Sequence, residues 1–311
     1  MLHRLEALWA VALLMVIAMV MALAAATRGQ AGSATRTQSP GDREKRPSRI
    51  PHRAESRVVK VAHRGASGYR PENTLESVRL GIDMDADVVE IDVQQTMDGV
   101  LVVMHDTTLQ RTTNVEEVFP DRGPWRIADF TYPEIQKLDA GGWFDPAYQG
   151  VRVPTLEEVL DELHGTGVGL LLEVTAPSRY PGIGGRIAEQ LGGRPEWRDG
   201  SRKLILCSFD WAFVREYKRR MPHTTVAVNG TPRYRDLGKI AEYADLVNPQ
   251  FGTVNATYLR RVHQLGMRSF SWTVDEPGDM RKLLAMGIDG IISNKPDVLG
   301  KVLEPGQTLA A

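Results

Sequence analysis

Short apolar runs in this chain end on residues that can move protons or hold cations. Residues 58–62 (VVKVA) lead into His63 and Arg64, residues 88–93 (VVEIDV) carry Glu90 and Asp92, and residues 100–104 (VLVVM) deliver His105. If 88–93 is a strand, its side chains alternate faces: Val89, Ile91 and Val93 share one face, and Glu90 and Asp92 the other, roughly 7 Å apart. Two carboxylates on one buried face raise each other's pKa. A divalent cation relieves that repulsion, and hard oxygen donors suit Ca²⁺ or Mg²⁺ rather than zinc. A pair of salt-bridged carboxylates is the plainer reading of this strand taken alone. Glu173 shifts the balance, because it ends the wholly apolar run GLLLEV, where an acid is expected to be paired or to bind metal. A lone histidine at a strand end is more often structural, but two flank these acids. Histidine donates or accepts a proton near neutral pH. Arg64 adds a guanidinium fork that matches phosphate oxygens. Metal and arginine together neutralise developing negative charge, so the set suits phosphoryl chemistry.

The elements that must position these residues follow from pattern. Further strand candidates are 168–174, 203–207, 224–228, 245–247, 268–272 and 290–293. Helix candidates lie between them, at 74–84, 155–164, 183–191, 211–220, 237–243, 255–265 and 277–286. Pro71-Glu72-Asn73 supplies a start signal for the first, and Thr155 with Glu158 forms a capping-box pattern for the second. Strands alternating with helices over residues 58–303 predict a (β/α)8 TIM barrel, whose catalytic groups sit at the C-terminal ends of the strands. A doubly wound open sheet is the competing architecture, weakened because no GxGxxG follows the first strand. Thr96-Met97-Asp98-Gly99 reads as a turn, which makes 88–93 and 100–104 a hairpin. Residues 107–153 are too long for one loop and read as a small insertion after the second strand, covering one rim.

Net charge is −1, which gives no bias towards nucleic acid. The single cysteine, Cys207, excludes an internal disulfide and paired-cysteine zinc sites, and its apolar surroundings make it a core residue. Residues 7–26 carry no charge and match the thickness of a bilayer core as a helix. Residues 1–26 therefore read as a signal peptide or a membrane anchor, which predicts an exported or membrane-anchored, extracytoplasmic protein. The arginines after the apolar run argue the opposite orientation if the anchor is retained. Residues 27–57 are basic, rich in Ser, Thr, Gly and Pro, and read as a disordered linker; residues 304–311 form a tail.

Together, His63-Arg64-Gly65, Pro71-Glu72-Asn73-Thr74, Glu90-Ile91-Asp92-Val93 and His105-Asp106 resemble the glycerophosphodiester phosphodiesterase family. Arg111-Thr112-Thr113, Leu138-Asp139-Ala140-Gly141, Val153-Pro154-Thr155-Leu156-Glu157-Glu158, Ser208-Phe209-Asp210 and Trp272-Thr273-Val274 extend the resemblance. It implies a (β/α)8 barrel that uses a divalent cation to hydrolyse glycerophosphodiesters to glycerol 3-phosphate and an alcohol. It implies Glu90, Asp92 and Glu173 as metal ligands, His63 and His105 as the acid–base pair, and Arg64 as a phosphate contact. It also implies Phe209 and Trp272 beside the glycerol moiety, with rim packing the alternative for Phe209. Two positions depart from the family pattern. Thr175 stands where a lysine is usual, with Lys295 a candidate replacement by rim position, and Asn294 stands where Asp is common. A lysophospholipase D acting on lysophospholipids and a non-catalytic phosphodiester-binding barrel are the alternative functions.

Overall fold

The computed structural model describes residues 57–198, 201 and 203–304. The leader expected at 1–26, the linker expected at 27–57 up to residue 56, and the tail from 305 lie outside them. Among the described residues no helix is long and apolar enough to cross a membrane.

Among the described residues there are nine strands: β1 Val59–Ala62, β2 Val88–Gln95, β3 Leu101–Val103, β4 Gly169–Val174, β5 Leu204–Ser208, β6 Thr225–Asn229, β7 Leu246–Asn248, β8 Arg268–Ser271 and β9 Gly290–Ser293. All but β3 are parallel neighbours, and pairing of β1 with both β9 and β2 closes the ring. That closure decides for the barrel over the open sheet. Buried on both sides, β4 and β5 are apolar almost throughout, as parallel strands covered on both faces must be. One face turns outward: Val89, Ile91, Leu170, Leu172, Leu206, Val226 and Val228 pack in the main core with the helices. The other forms a separate core of Val61, Leu171, Ile205, Cys207, Ala227, Leu246, Phe270 and Ile292, which fills the barrel interior.

The helices cover the outer face. Leu156–Leu163 shows how: Thr155 and Glu158 form the capping box at its start. Its buried residues Leu156, Val159, Leu160 and Leu163 recur at the spacing of one helical face, each stabilising the fold by about 1.5–3 kcal/mol when fully buried. Six of the seven expected helices are observed within a residue or two of their predicted limits; the other, between β6 and β7, spans only Leu237–Ile240 where the pattern predicts 237–243. The sequence pattern also passed over Pro296–Leu303, which starts on a proline and packs against β1 and β9.

Two departures from a plain barrel shape the rim. Strand β2 runs past the end of β1 to Gln95, and its last residues pair antiparallel with β3, Val93 opposite Val103 and Gln95 opposite Leu101. The hairpin reading therefore holds, with the first strand two residues longer than predicted. Residues that follow hold a core of their own, in which Met104, Leu109, Ile127, Phe130, Ile135 and Leu138 pack together.

The chain between β1 and its helix Leu75–Asp83 packs closely against that helix. Gly65 lies at φ +77, and a Cβ there would come within 2.4 Å of the Ser77 backbone carbon. Its neighbour Ala66 donates to the Ser77 carbonyl at 2.8 Å, so this loop lies directly on the helix's first turn. Substituting Gly65→Ala is expected to destabilise the protein by about 2–4 kcal/mol, from a left-handed backbone and an overpacked contact. Urea unfolding of the two proteins measures it, and a change under about 0.5 kcal/mol, the scale of a neutral surface substitution, would refute the argument.

Candidate active site

Strand register assembles the site. Asp92 on β2 stands opposite Glu173 on β4, and Glu90 opposite Leu171. Glu90, Asp92 and Glu173 are all buried, with ligand oxygens within 4.8 Å of one another. A neutral donor holds one oxygen of each. The Arg64 backbone N–H donates to Glu90 Oε2 at 2.6 Å, Asn73 Nδ2 to Asp92 Oδ2 at 2.8 Å, and Asn229 Nδ2 to Glu173 Oε2 at 2.7 Å. That fixes the carboxylates and leaves the second oxygen of each available. Burial, then Asp92 and Glu173, push Glu90 well above the usual carboxylate range; burial, then Asp92, do the same to Glu173. Three close oxygen donors with too little positive charge around them fit a hard divalent cation.

The floor and walls continue the same layers. Asn248 Nδ2 donates to Asn229 Oδ1 at 3.0 Å, and Trp272 Nε1 to the Asn248 carbonyl at 2.6 Å. Leu171, Cys207 and Ile292 close the bottom of a cavity of about 240 Å³, which His63, Arg64, Glu90, Asp92, His105, Glu173, Phe209 and Trp272 also line. All eight residues singled out from sequence therefore face one space. Phe209 is 53% exposed and meets Trp272 edge-on with ring centroids 5.6 Å apart, so it packs at the rim and borders the cavity at once. Lys295 is not among the residues lining the cavity. Thr175 is also off the lining, and its Oγ1 is buried without a partner.

The two histidines are held differently. His63 Nδ1 lies 2.6 Å from Asn294 Oδ1. Asn294 Nδ2 donates to Asp275 Oδ2 at 2.7 Å, and Ser67 Oγ donates to the same Asn294 Oδ1 at 2.8 Å. With the amide orientation set by Asp275, Oδ1 faces His63 and can only accept. The proton is thereby assigned to Nδ1, and Nε2 keeps its lone pair. Loss of solvent, then the Arg64 guanidinium, push His63 down to about 4. His105 Nδ1 instead meets the Asp106 carboxylate at 2.6 Å. Arg111 grips Asp106 with two bonds and Glu72 with two more, and Glu72 also accepts from Arg64 at 2.8 Å. Arg64 reaches Asp92 at 3.4 Å. The Arg111 bonds hold Asp106 down at about 2. Sequence reasoning assigned no role to Asn73, Asn229, Asn248, Glu72 or Asp275; of these, Glu72 and Asn73 stood in a quoted motif.

The chain matches the profile of the glycerophosphoryl diester phosphodiesterase family over residues 63–298. Two proteins of Bacillus subtilis (strain 168) are similar to it. YhdW is 37% identical, covering 78% of this chain and 96% of its own length. A glycerophosphodiester phosphodiesterase is 35% identical, covering 79% and 86%. Among solved structures, an Oleispira antarctica phosphodiesterase in complex with the product sn-glycerol-3-phosphate superposes with a TM-score of 0.70 at 26% identity, covering 79% of this chain and 97% of that one.

The raised carboxylates make a sign-defined prediction for the metal-free protein. Glu90 and Glu173 hold protons in the folded state at pH values where the unfolded chain has lost them. Stability from these groups therefore falls as pH rises above the ordinary carboxylate range. His63, lowered, contributes the opposite slope between about 4 and its ordinary 6.5, so the comparison is best made as a difference between two proteins. Glu90→Gln is expected to match wild type near pH about 4 and to be the more stable of the two near pH about 8. Millimolar Ca²⁺ or Mg²⁺ is expected to raise the wild-type unfolding free energy, by about 2.7 kcal/mol at a hundredfold excess over Kd, and to raise that of Glu90→Gln much less. A pH-independent difference between the two proteins would show that the carboxylates are not forced together.

Proposed function

The chain belongs to the glycerophosphoryl diester phosphodiesterase family, and on that premise we propose that it hydrolyses glycerophosphodiesters to sn-glycerol 3-phosphate and an alcohol, with Glu90, Asp92 and Glu173 holding a divalent cation and His63 and His105 moving the protons. The observation that carries this reading is the charge balance of the cavity. Three carboxylates line it, and Arg64 is its one Lys or Arg. Alone, such a site repels a phosphodiester anion. A cation bound to the three oxygens, Ca²⁺ or Mg²⁺ by donor type, supplies the positive charge that draws phosphate oxygens in and stabilises charge developing on them.

The remaining steps belong to the chain's own residues. Arg64 contacts the phosphate, its fork already oriented by Glu72 and Asp92. His63, with Nδ1 committed to Asn294, accepts through Nε2 the proton of the attacking hydroxyl. That hydroxyl is water or the neighbouring glycerol hydroxyl; the latter gives a cyclic phosphate that water then opens. The phosphorus–oxygen bond to the leaving alcohol breaks as His105 donates its proton to that oxygen. The assignment follows the partners: His63 leans on a neutral amide and His105 on the Asp106 carboxylate, and an anionic partner supports a charged ring more strongly than a neutral one. Phe209 and Trp272 supply an apolar wall for the glycerol carbons.

The partly exposed Phe209 also supports a lysophospholipase D reading, since an acyl chain needs an apolar exit from the cavity. Export by residues 7–26, as a cleaved signal or as a membrane anchor, is part of the same proposal, and cell fractionation tests it.

The decisive measurement is release of glycerol 3-phosphate from glycerophosphocholine, and of lysophosphatidic acid from lysophosphatidylcholine, with Ca²⁺, Mg²⁺ or EDTA. Turnover is expected with a cation and not with EDTA. His63→Ala and His105→Ala are each expected to lower kcat by about 10²–10⁴-fold. Full cation-dependent activity in either variant would overturn the assignment of that histidine. Absence of turnover with every cation and substrate would leave a phosphodiester-binding barrel instead.

A further inference from the structure

Asp106 orients the His105 ring, but both residues sit on the same turn, so Asp106 cannot fix where that turn stands over the cavity. Strand β3 ends at Val103, and the ladder to β2 ends with it, apart from Met104 donating to the Asp92 carbonyl at 2.9 Å. The carbonyls of the next residues face a single side chain. Gln94 Nε2 lies 3.0 Å from the Met104 carbonyl, 3.0 Å from that of His105 and 2.5 Å from that of Asp106. A carboxamide has two N–H groups, so three consecutive peptide units share two hydrogens and are tied to one point.

The amide cannot turn over freely. Tyr180 Oη donates to Gln94 Oε1 at 2.8 Å, which leaves Nε2 for the carbonyls. Both side chains are inside the protein, Gln94 at 0% and Tyr180 at 3% exposure. Gln94 stands two residues beyond Asp92 on β2, and Tyr180 follows β4, which carries Glu173. The turn of His105 is thus referenced to the two strands that bear the three carboxylates.

We propose that Gln94 is a positioning residue for His105, holding the histidine's backbone at a fixed place relative to the carboxylate cluster, with Tyr180 locking the amide. The proposal rests on the role given to His105 above. Its bland alternative is that Gln94 merely satisfies buried carbonyls, as buried polar groups generally must. The two differ in whether Gln94 acts through His105.

A double-substitution cycle separates them, read by kcat and KM for glycerophosphocholine with saturating Mg²⁺. Gln94→Leu keeps the side chain's bulk and removes the donors. It is expected to lower kcat by about 100-fold, the scale of an ångström's misplacement of a catalytic group, with KM changed by less than about threefold, the signature of an interaction that acts in the transition state. Tyr180→Phe frees the amide to rotate and is expected to lower kcat by about fivefold, one hydrogen bond's worth. In a His105→Ala background, Gln94→Leu is expected to cost no more than about twofold further, because residues acting as one unit are not additive. Losses that multiply in the double variant, or an unchanged kcat in Gln94→Leu, would overturn the proposal. If Gln94→Leu does not fold, Tyr180→Phe carries the same cycle under the same criteria. If His105→Ala alone keeps full activity, the role of His105 falls, and the positioning role falls with it for that separate reason.

Discussion

Three carboxylates forced together in the mouth of a barrel set the terms for everything around them. Glu90, Asp92 and Glu173 are 3%, 1% and 9% exposed, so water does little to screen them from one another, and like charges at this spacing cost several kcal/mol even at the effective dielectric of a protein surface. The strand register that creates the cluster is not free to relax it. A slip of one residue between β2 and β4 would turn Glu90 and Asp92 outward into the helices and bring Val89 and Ile91 into the barrel. The fold therefore keeps the repulsion and surrounds it: an apolar plug beneath, neutral amides from Asn73, Asn229 and Asn248 at the sides, and one guanidinium above.

From that guanidinium a line of alternating charge runs to the second histidine. Asp92 meets Arg64, Arg64 meets Glu72, Glu72 meets Arg111, Arg111 meets Asp106, and Asp106 meets His105. Each inner member serves two partners, so no member is satisfied by one contact alone. The backbone bears part of the cost. Arg64 and Asn73 both lie at positive φ, 52 and 58, in the left-handed region that disfavours side chains by about 1–2 kcal/mol. Arg64 in that conformation can give its N–H to Glu90 while its side chain reaches Asp92. Asn73 similarly donates to the Asp92 carboxylate and accepts from the Asp92 backbone at 3.2 Å.

Much of this was legible in the sequence, because one rule, alternation along a strand, carries it. Glu90 and Asp92 had to share a face, and Glu173 at the end of an apolar run had to meet something. The capping box of Thr155 and Glu158 is likewise a local pattern. What stayed hidden is not local. Asn229 and Asn248 are single amides at strand ends with no neighbouring signal, and they matter only because register brings them to Glu173. Glu72 and Arg111 lie far apart in the chain, and the bond between them follows from how the insertion folds back on the loop. The helix Pro296–Leu303 follows closely on the end of β9 with no capping side chain to announce it, and its start rests on Pro296, a residue well suited to the first helical position. Lys295 beside it looked like a rim cation by position, but strand-end position does not say which way a side chain faces.

Thr175 then acquires a definite meaning. A lysine at that position would bring a second cation towards a cavity whose only guanidinium is already divided between Glu72 and Asp92. Threonine brings none, and its hydroxyl is buried without a partner. In the proposed reaction Arg64 and a bound cation would hold the anionic diester between them. In that proposal the carboxylates that would repel a phosphate on their own are the same ones that would hold the cation drawing it in.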